Sequence, residues 1–494
     1  MPPDIRLAGI APEIALTVGA FVVLLVEAMV GERRNRWWLP LLATIALGAS
    51  MYFAIDAWGA SELQLAQMIA VDGFATFVKV TLAVFGLLTV WLSRDYLHRR
   101  AMEESEFYAL VLFAVAGMML MAGAADLIVM FIALETFSIA LYVLVGFRRR
   151  QLVSQESAMK YFLLGAFSSA FFLLGIAFAY GAVGSTNLYG NVTSLNCSAP
   201  GLAQVLECGP ASGAGLLVIG IGLLLVGLGF KIAAVPFHMW TPDAYQGAPS
   251  PVTGFMAAGS KLAGFAALIR LLDVGLFSFR ADWRPLVIGI AVVTMVVGSI
   301  LAVVQEDLKR LLAYSSIAHA GFVLTGVIAA NDRGVAGTLF YLATYGVTVL
   351  GAFAIVSVLS DSEEHRVKIT DYRGLFDDHP LLTGALTLFL LSLAGVPLTS
   401  GFVGKLVVFG AAVEAGYAWL VVVGVVASAI AAFFYLKVMV AMYMQEREGE
   451  PIGARRSPLG LAVVALTAAA TIFLGLLWTP LIEAAEKAKF FAGG

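Results

Sequence analysis

Apolar runs long enough to cross a bilayer recur along the whole chain, each closed by a short polar stretch. Fourteen of them lie near residues 12–31, 38–56, 73–92, 107–124, 126–147, 157–183, 213–249, 251–272, 285–304, 311–330, 335–359, 381–410, 418–444 and 458–480. A helix needs roughly 17 to 25 apolar residues to span a hydrocarbon core of about 30 Å, and every run reaches that length. Runs such as GLLVIGIGLLLVGLG from Gly215 do not alternate, which excludes a membrane β-barrel. The pattern predicts an all-α, polytopic membrane protein with about fourteen transmembrane helices.

Composition agrees. Hydrophobic residues make up 61% of the chain and charged residues only 13%, whereas soluble proteins carry about 25% charge. A formal net charge of −3 offers no basic footprint for nucleic acid. Two cysteines and five histidines exclude a four-cysteine iron–sulfur site and speak against a dedicated transition-metal site. No GxGxxG, Walker A, HExxH or paired CxxC motif occurs, so nucleotide, haem or cluster chemistry belongs to partners and no cofactor is expected in this chain.

Alternate connecting segments differ sharply in basic charge. One set holds seventeen Lys and Arg, in clusters such as Arg33-Arg34-Arg36 and Arg148-Arg149-Arg150; the other, termini included, holds six. Basic residues are retained on the cytoplasmic side, so the first set is expected there and both termini outside, as an even helix number requires. The first residues, MPPDIRLAGIAPEIAL, lack the basic region and cleavage site of a removable leader. Cys197 and Cys208 then share an exterior connection near 184–212, compatible with a disulfide or with two unpaired thiols. No connection is long enough for a soluble domain. One membrane domain over 1–494 is expected, divided into 1–106, a first repeat 107–272, a second repeat 285–444, and 445–494.

Seven basic residues fall inside or at the ends of the apolar runs: Lys79, Lys160, Lys231, Lys261, Arg270, Lys405 and Lys437. A lysine at mid-bilayer costs about 2.5 to 3.5 kcal/mol on insertion scales. Lys261 lies ten residues after Pro251, about 15 Å along a helix and thus near the midplane. Glu135, about ten residues into ADLIVMFIALETFSIALYVLVGF, is its acidic counterpart in depth. One Glu and one Lys would read as an ion pair that fixes register. One Glu against three central lysines leaves a surplus of ammonium, which a titrating role explains better. Arg270 reads as a snorkelling group at a helix end, and Glu27, Lys79 and Lys437 as interface or snorkelling charges. Lys160, early in its run, reads as reaching cytoplasmic water, and His319 as lying deeper. His238 reads as a relay or, more simply, as a cap for freed carbonyls.

The seventh run would be about 55 Å long as one straight helix, so it must break. Pro236, Pro242, Pro249 and Pro251 in GFKIAAVPFHMWTPDAYQGAPSPV mark the break, with Lys231 just before it. The twelfth run repeats the arrangement in SLAGVPLTSGFVGKLVVF, with Pro397, Gly401, Gly404 and Lys405. The two lie five helices apart, an odd offset that reverses direction through the membrane. Helices 4 to 8 and 9 to 13 are therefore expected to be inverted repeats with broken helices 7 and 12.

These same stretches, with KYFLLGAFSSA around Lys160 and LKRLLAYSSIAHAGF around His319, resemble the antiporter-like membrane subunits shared by NADH-quinone oxidoreductase (respiratory complex I) and Mrp-type cation/proton antiporters. Lys405, where the M-type branch looks to carry Glu, the absence of the long lateral helix of the L-type branch, and YRGLFDDHP before helix 12 favour the N-type branch; the Mrp D-type branch is the alternative. The resemblance implies a proton line along the membrane midplane through Glu135, Lys231, Lys261 and Lys405, with Lys160 and His319 as further candidates. It also implies M-, K- and J-type neighbours and lipid as partners in a bacterial plasma membrane, with FMN, iron–sulfur clusters and the quinone site in other subunits. Desolvation disfavours the charged form of a lysine and a nearby carboxylate favours it. At about 8 Å and an effective dielectric of about 20, Glu135 and Lys231 interact by roughly 2 kcal/mol. Moving one charge against 100 mV costs about 2.3 kcal/mol, so the energy must come from outside this chain, and quinone reduction is the implied source.

Overall fold

The computed structural model describes residues 7–30, 36–102, 104–190, 201–204, 214–360, 367–447 and 457–491; Cys197 and Cys208 lie outside them. Six helices open the chain: α1 (Ala11–Val30), α2 (Trp38–Asp56), α3 (Gly73–Arg99), α4 (Ser105–Gly123), α5 (Leu127–Val145) and α6 (Leu152–Val183). Next come α7 (Ala214–Lys231), the short α8 (Trp240–Gly247), and α9 (Ser250–Phe255) joined to α10 (Lys261–Arg270) through the π-turn Met256–Ser260. The second half holds α11 (Arg280–Val303), α12 (Leu308–Ala329), α13 (Asp332–Leu359), the single turn α14 (Leu375–Asp378), α15 (Pro380–Ala394), α16 (Ser400–Glu414), α17 (Ala418–Met444), α18 (Pro458–Leu476) and α19 (Thr479–Lys487). Twelve helical stretches among the described residues are long and apolar enough to cross a membrane. The seventh and twelfth runs are the two interrupted ones: α7 stops at Lys231 and resumes as α8, and α15 stops at Ala394 and resumes as α16.

A helix end shut away from water must satisfy its first N–H groups within the protein. Asp72, Asp126, Asp307 and Asn331 do so at the starts of α3, α5, α12 and α13, accepting from Ala75, Ile128, Arg310 and Gly334 at 2.7–3.0 Å.

Burial grades from the rim inward. Residues 250–272 are buried throughout and α12 and α13 nearly so, whereas most of α1 is exposed or half-buried. The peripheral helices turn residues such as Phe21, Leu25, Val422 and Val425 outward, as a lipid-facing rim requires. The three innermost rods carry Lys261, His319 and a set of tyrosines, so the polar groups sit where lipid cannot reach. A two-stranded antiparallel hairpin, β1 (Glu62–Gln64) with β2 (Ile69–Val71), closes one end of the bundle, Ile69 bridging to Ala124.

Two charges depart from the sequence reading. Arg270 does not snorkel: it is 0% exposed, with both terminal nitrogens on Asp72 at 2.8 and 2.9 Å, Tyr189 Oη at 2.6 Å and the Ala122 carbonyl at 3.0 Å. The Phe74 and Phe490 rings pack over its guanidinium, and the Phe491 amide donates to the same Asp72 carboxylate. Lys79 does not snorkel either, but is buried against Glu13 at 2.7 Å. Each charge stays inside because a partner distant in sequence neutralises it. Glu27 is paired with Arg36 at 2.5 Å, and Lys437 donates to the Gln305 carbonyl at 3.0 Å.

Removing one partner of a buried bidentate pair strands the other, at about 3 to 5 kcal/mol. Asp72→Asn is therefore expected to lower the thermal unfolding temperature of the detergent-extracted protein markedly. An unchanged melting curve would show that Arg270 does not depend on Asp72.

Candidate functional site

Lys231 is the last residue of α7, placed at the mouth of the break. The freed groups there are taken up locally: Trp240 Nε1 donates to the Phe230 carbonyl at 2.9 Å and Thr294 Oγ1 accepts from the Val235 amide at 3.0 Å. His238 lies half-buried beside the Pro236 carbonyl, in keeping with a capping role. The Lys231 ammonium is buried without a hydrogen-bond partner among the described residues. Four rings surround it instead, Phe137, Tyr142, Tyr161 and Phe230, with centroids 5.1–5.6 Å away. Their π faces attract a cation without fixing it by a directed bond.

Glu135 is half-buried and accepts a hydrogen bond from Ser169 of α6. It acts electrostatically on Lys231 and Tyr142, but the two are no contact pair: no ion pair within 4.0 Å joins Glu135 to Lys231. The lysine thus feels the carboxylate through space, with its donors uncommitted.

Helix α10 approaches Lys231 closely, because Gly264, one turn from Lys261, carries no side chain: a Cβ there would sit 3.4 Å from Lys231 Cβ. Lys261 follows the π-turn Met256–Ser260 and is held by both oxygens of Ser316 on α12, with Oγ at 2.6 Å. The Tyr345 ring centroid lies 5.2 Å from its ammonium, and Tyr245 Oη reaches Ser316 Oγ at 3.5 Å.

Three residues further along α12, His319 is buried, with Nδ1 2.7 Å from Tyr341 Oη and Nε2 3.3 Å from Tyr435 Oη. Tyr435 also pairs with the Ser315 hydroxyl. A phenol both donates and accepts, so either neutral tautomer of His319 is served on both sides. His319 also lies beside the Leu393 carbonyl, which accepts from Lys405 Nζ at 3.1 Å. A small cavity lined by His319, Tyr341, Tyr345 and Leu393, with room for about one water, adjoins this junction.

Lys405 folds back onto the end of α15. Its ammonium takes the Leu393 and Ala394 carbonyls at 3.1 and 2.9 Å, groups left free because the helix stops there, and lies 4.8 Å from the Phe322 centroid. Two glycines permit the fold. Gly395 adopts φ +89°, and a Cβ on it would press on Lys405 at 3.0–3.1 Å; a Cβ on Gly401 would collide with the Ser392 carbonyl at 1.9 Å.

The structure thus gathers Lys261, His319 and Lys405, with the Tyr345 ring of α13 against both Lys261 and His319 and the Leu393 carbonyl beside both His319 and Lys405, while Lys231 packs against α10 next to Gly264. Lys160 stands apart. It is exposed, eight residues beyond the first residue of α6, and pairs with Glu156 at 2.7 Å and Asp243 at 3.1 Å. Ser315, Ser316, Tyr341, Tyr345 and Tyr435 were missed by sequence reasoning, since hydroxyl residues in apolar helices carry no distinguishing signal. The adjacent serines beside His319 are the nearest thing to one. Among the described residues, no group of three or more His, Cys, Asp or Glu is placed to hold a metal ion.

Residues 124–431 match the family described as NADH:quinone oxidoreductase/Mrp antiporter, transmembrane. The chain belongs to that family. It is similar to NADH-quinone oxidoreductase subunit N of Trichlorobacter lovleyi, with 42% identity over 98% of this chain and 97% of the relative. A solved chain of respiratory complex I from Thermus thermophilus with bound aureothin superposes with a TM-score of 0.80 at 34% identity, over 97% of this chain and all of that one. A chain of the Mrp complex from Dietzia sp. gives a TM-score of 0.83 at 20% identity, over 98% of this chain and 97% of that one, and so shares the fold.

Gly395→Ala forces a left-handed backbone on a residue with a Cβ, which costs about 1 to 2 kcal/mol, and also crowds Lys405. It is expected to lower the melting temperature of the extracted protein. Gly384→Ala, where a Cβ meets nothing within 4 Å, is expected to leave it unchanged. Equal melting of both would remove the argument that Gly395 holds the Lys405 turn.

Proposed function

We propose that this chain is the N-type, proton-translocating membrane subunit of a bacterial NADH-quinone oxidoreductase. The observation that carries the reading is the run of buried polar groups from Lys261 to Lys405, in which the Tyr345 ring lies against both Lys261 and His319 and the Leu393 carbonyl lies beside His319 and accepts from Lys405, flanked by caged Lys231 and Glu135. The relative that bears the subunit N name at 42% identity supports the assembly. The Mrp-type reading rests on a likeness in fold at 20% identity.

In this reading Glu135 tunes the proton held at Lys231. A charge arriving near Glu135, or a shift of its carboxylate, releases that proton toward Lys261. Ser316 keeps Lys261 in place and the His319 ring, with phenols on both nitrogens, bridges toward Lys405, which discharges to the exterior. Lys160, paired with Asp243 at the surface, serves the entry side rather than the buried line. Burial in the three innermost rods excludes lipid and lets small charge movements have large effects. The whole chain acts as one membrane domain, with the two interrupted helices as corresponding parts of inverted repeats. Their lysines occupy opposite sides of the breaks, before the first and after the second, so the repeats carry different halves of the path. The arginine-rich connections face the cytoplasm and both termini the exterior. FMN, iron–sulfur clusters and the quinone site reside in partner subunits, with M-, K- and J-type subunits as membrane neighbours.

Glu135→Ala, Lys231→Ala and Lys261→Ala are each expected to depress proton pumping in the assembled complex, measured as protons moved per NADH oxidised in vesicles. Wild-type stoichiometry in all three would remove the proposed path and leave a passive spacer. His319→Ala is expected to depress pumping as well, since the ring contacts both the Tyr341 and Tyr435 phenols beside the Leu393 carbonyl that accepts from Lys405. Isolation of the native complex without flavin and iron–sulfur proteins would favour the Mrp reading.

A further inference from the structure

Tyr142 carries a buried group that the proton line leaves unused. Its ring is one of the four around Lys231, with the centroid 5.4 Å from the ammonium. Its hydroxyl is buried and has no hydrogen-bond partner among the described residues. An unpaired buried hydroxyl costs about 1 to 3 kcal/mol, which a phenylalanine of the same shape would avoid while still offering a ring face to the lysine.

The packing of α5 on α6 accounts for that hydroxyl. Glu135, Ser138 and Tyr142 stand at i, i+3 and i+7 on α5 and share one face; Tyr161, Gly165 and Ser169, at i, i+4 and i+8, form the facing row on α6. The two rows meet in opposite directions. Ser169 donates to Glu135, the Tyr142 hydroxyl rests on Gly165, and the Tyr161 ring meets the Tyr142 ring edge-on at 4.7 Å. A Cβ on Gly165 would lie 2.0 Å from the Tyr142 oxygen and 2.6 Å from the ring carbon that bears it, so the seat exists only because this residue is glycine. Side chains on a helix lean toward its N-terminus, which turns the hydroxyl back toward Ser138 and Glu135, both close enough to act on it. The same carboxylate acts on Lys231 without touching it. Tyr142 therefore borders the Lys231 cage with its ring and the field of Glu135 with its oxygen.

A phenol hydroxyl turns about its C–O bond without moving the ring, and it both donates and accepts. With Glu135 ionised, the O–H points to the carboxylate and the oxygen lone pairs face the cage, where they favour the ammonium. A charge that cancels the field of Glu135 lets the O–H turn, and Lys231 loses that support. Resting on the proton-translocating reading above, we propose that Tyr142 is a positioning residue of the proton line, whose neutral dipole passes the state of Glu135 to Lys231 and whose freedom to turn depends on the bare Gly165. The phenol keeps its own proton throughout.

The test uses the assembled complex in sealed vesicles, with initial proton uptake divided by NADH oxidation to an artificial electron acceptor as the measure of complex present. Tyr142→Phe keeps the ring and removes the dipole; it is expected to slow pumping about 2- to 10-fold, the size of one hydrogen bond. Glu135→Gln is expected to slow pumping too, and the double variant to pump no more slowly than Glu135→Gln alone, because a relay without a signal has nothing left to lose. Penalties that multiply in the double variant mark a merely structural tyrosine and overturn the proposal. Wild-type pumping in Tyr142→Phe also overturns it and leaves the proton line standing, whereas wild-type pumping in both Glu135→Gln and Lys231→Ala overturns the reading on which it rests. If Tyr142→Phe fails to assemble, Gly165→Ala, which drives the hydroxyl off its seat, takes its place alone and with Glu135→Gln; the same slowing and the same lack of further loss are expected, and their absence overturns the proposal.

Discussion

An ammonium group in a water-poor interior must find acceptors, and the whole arrangement follows from how three lysines find theirs. Regular helix offers little, because every carbonyl already accepts one bond from the turn that follows and has only its second lone pair left. Each lysine sits next to a defect: Lys231 at the end of α7, Lys261 after a π-turn, Lys405 above the severed end of α15. The solutions differ in kind. Lys405 takes two carbonyls, Lys261 one serine residue twice, and Lys231 only ring faces. That ordering leaves Lys231 with the least committed hydrogens and makes it the group most open to a nearby charge.

Where the chain runs as long apolar helix was legible in the sequence, since residue count times helical rise sets how far a run can reach. The two interruptions and the burial of Lys231, Lys261 and Lys405 lie where that arithmetic puts them, while Glu135 is only half-buried and twelve stretches, not fourteen, are long enough to span among the described residues. What a linear reading misses is which side of a helix meets which neighbour. Arg270 was read as free to snorkel because it lies at a helix end, yet Asp72, 198 residues earlier, meets it. Lys79 was misread for the same reason, its partner Glu13 lying on a different helix. The hydroxyl groups around His319 come from α12, α13 and α17, and only folding brings them together. Lys160, early in its apolar run, reads as reaching water, and its exposed position beside Asp243 agrees.

Charge inside this protein is handled in two opposed ways. At Asp72 and Arg270 the partners are in direct bidentate contact, closed over by aromatic rings and a backbone amide, an arrangement that holds its protons fast. Between Glu135 and Lys231 the contact is withheld, and the carboxylate spends its hydrogen bond on Ser169. The first geometry suits a fixed brace between α3, α10 and the C-terminal residues. The second suits a group whose ionisation must change, because a contact pair of the same two residues would be too stable to respond to a distant charge.

The rod Ser250–Gly275 is buried throughout residues 250–272, and with a mean hydropathy of 1.5 it is the least apolar of the twelve spanning stretches. During synthesis it emerges before α12 and α13, the rods that later cover it. A segment bearing an ammonium, an arginine and two π-turns is a poor guest for a bilayer on its own. Its insertion therefore waits on downstream helices, and biogenesis of this chain cannot proceed strictly one span at a time.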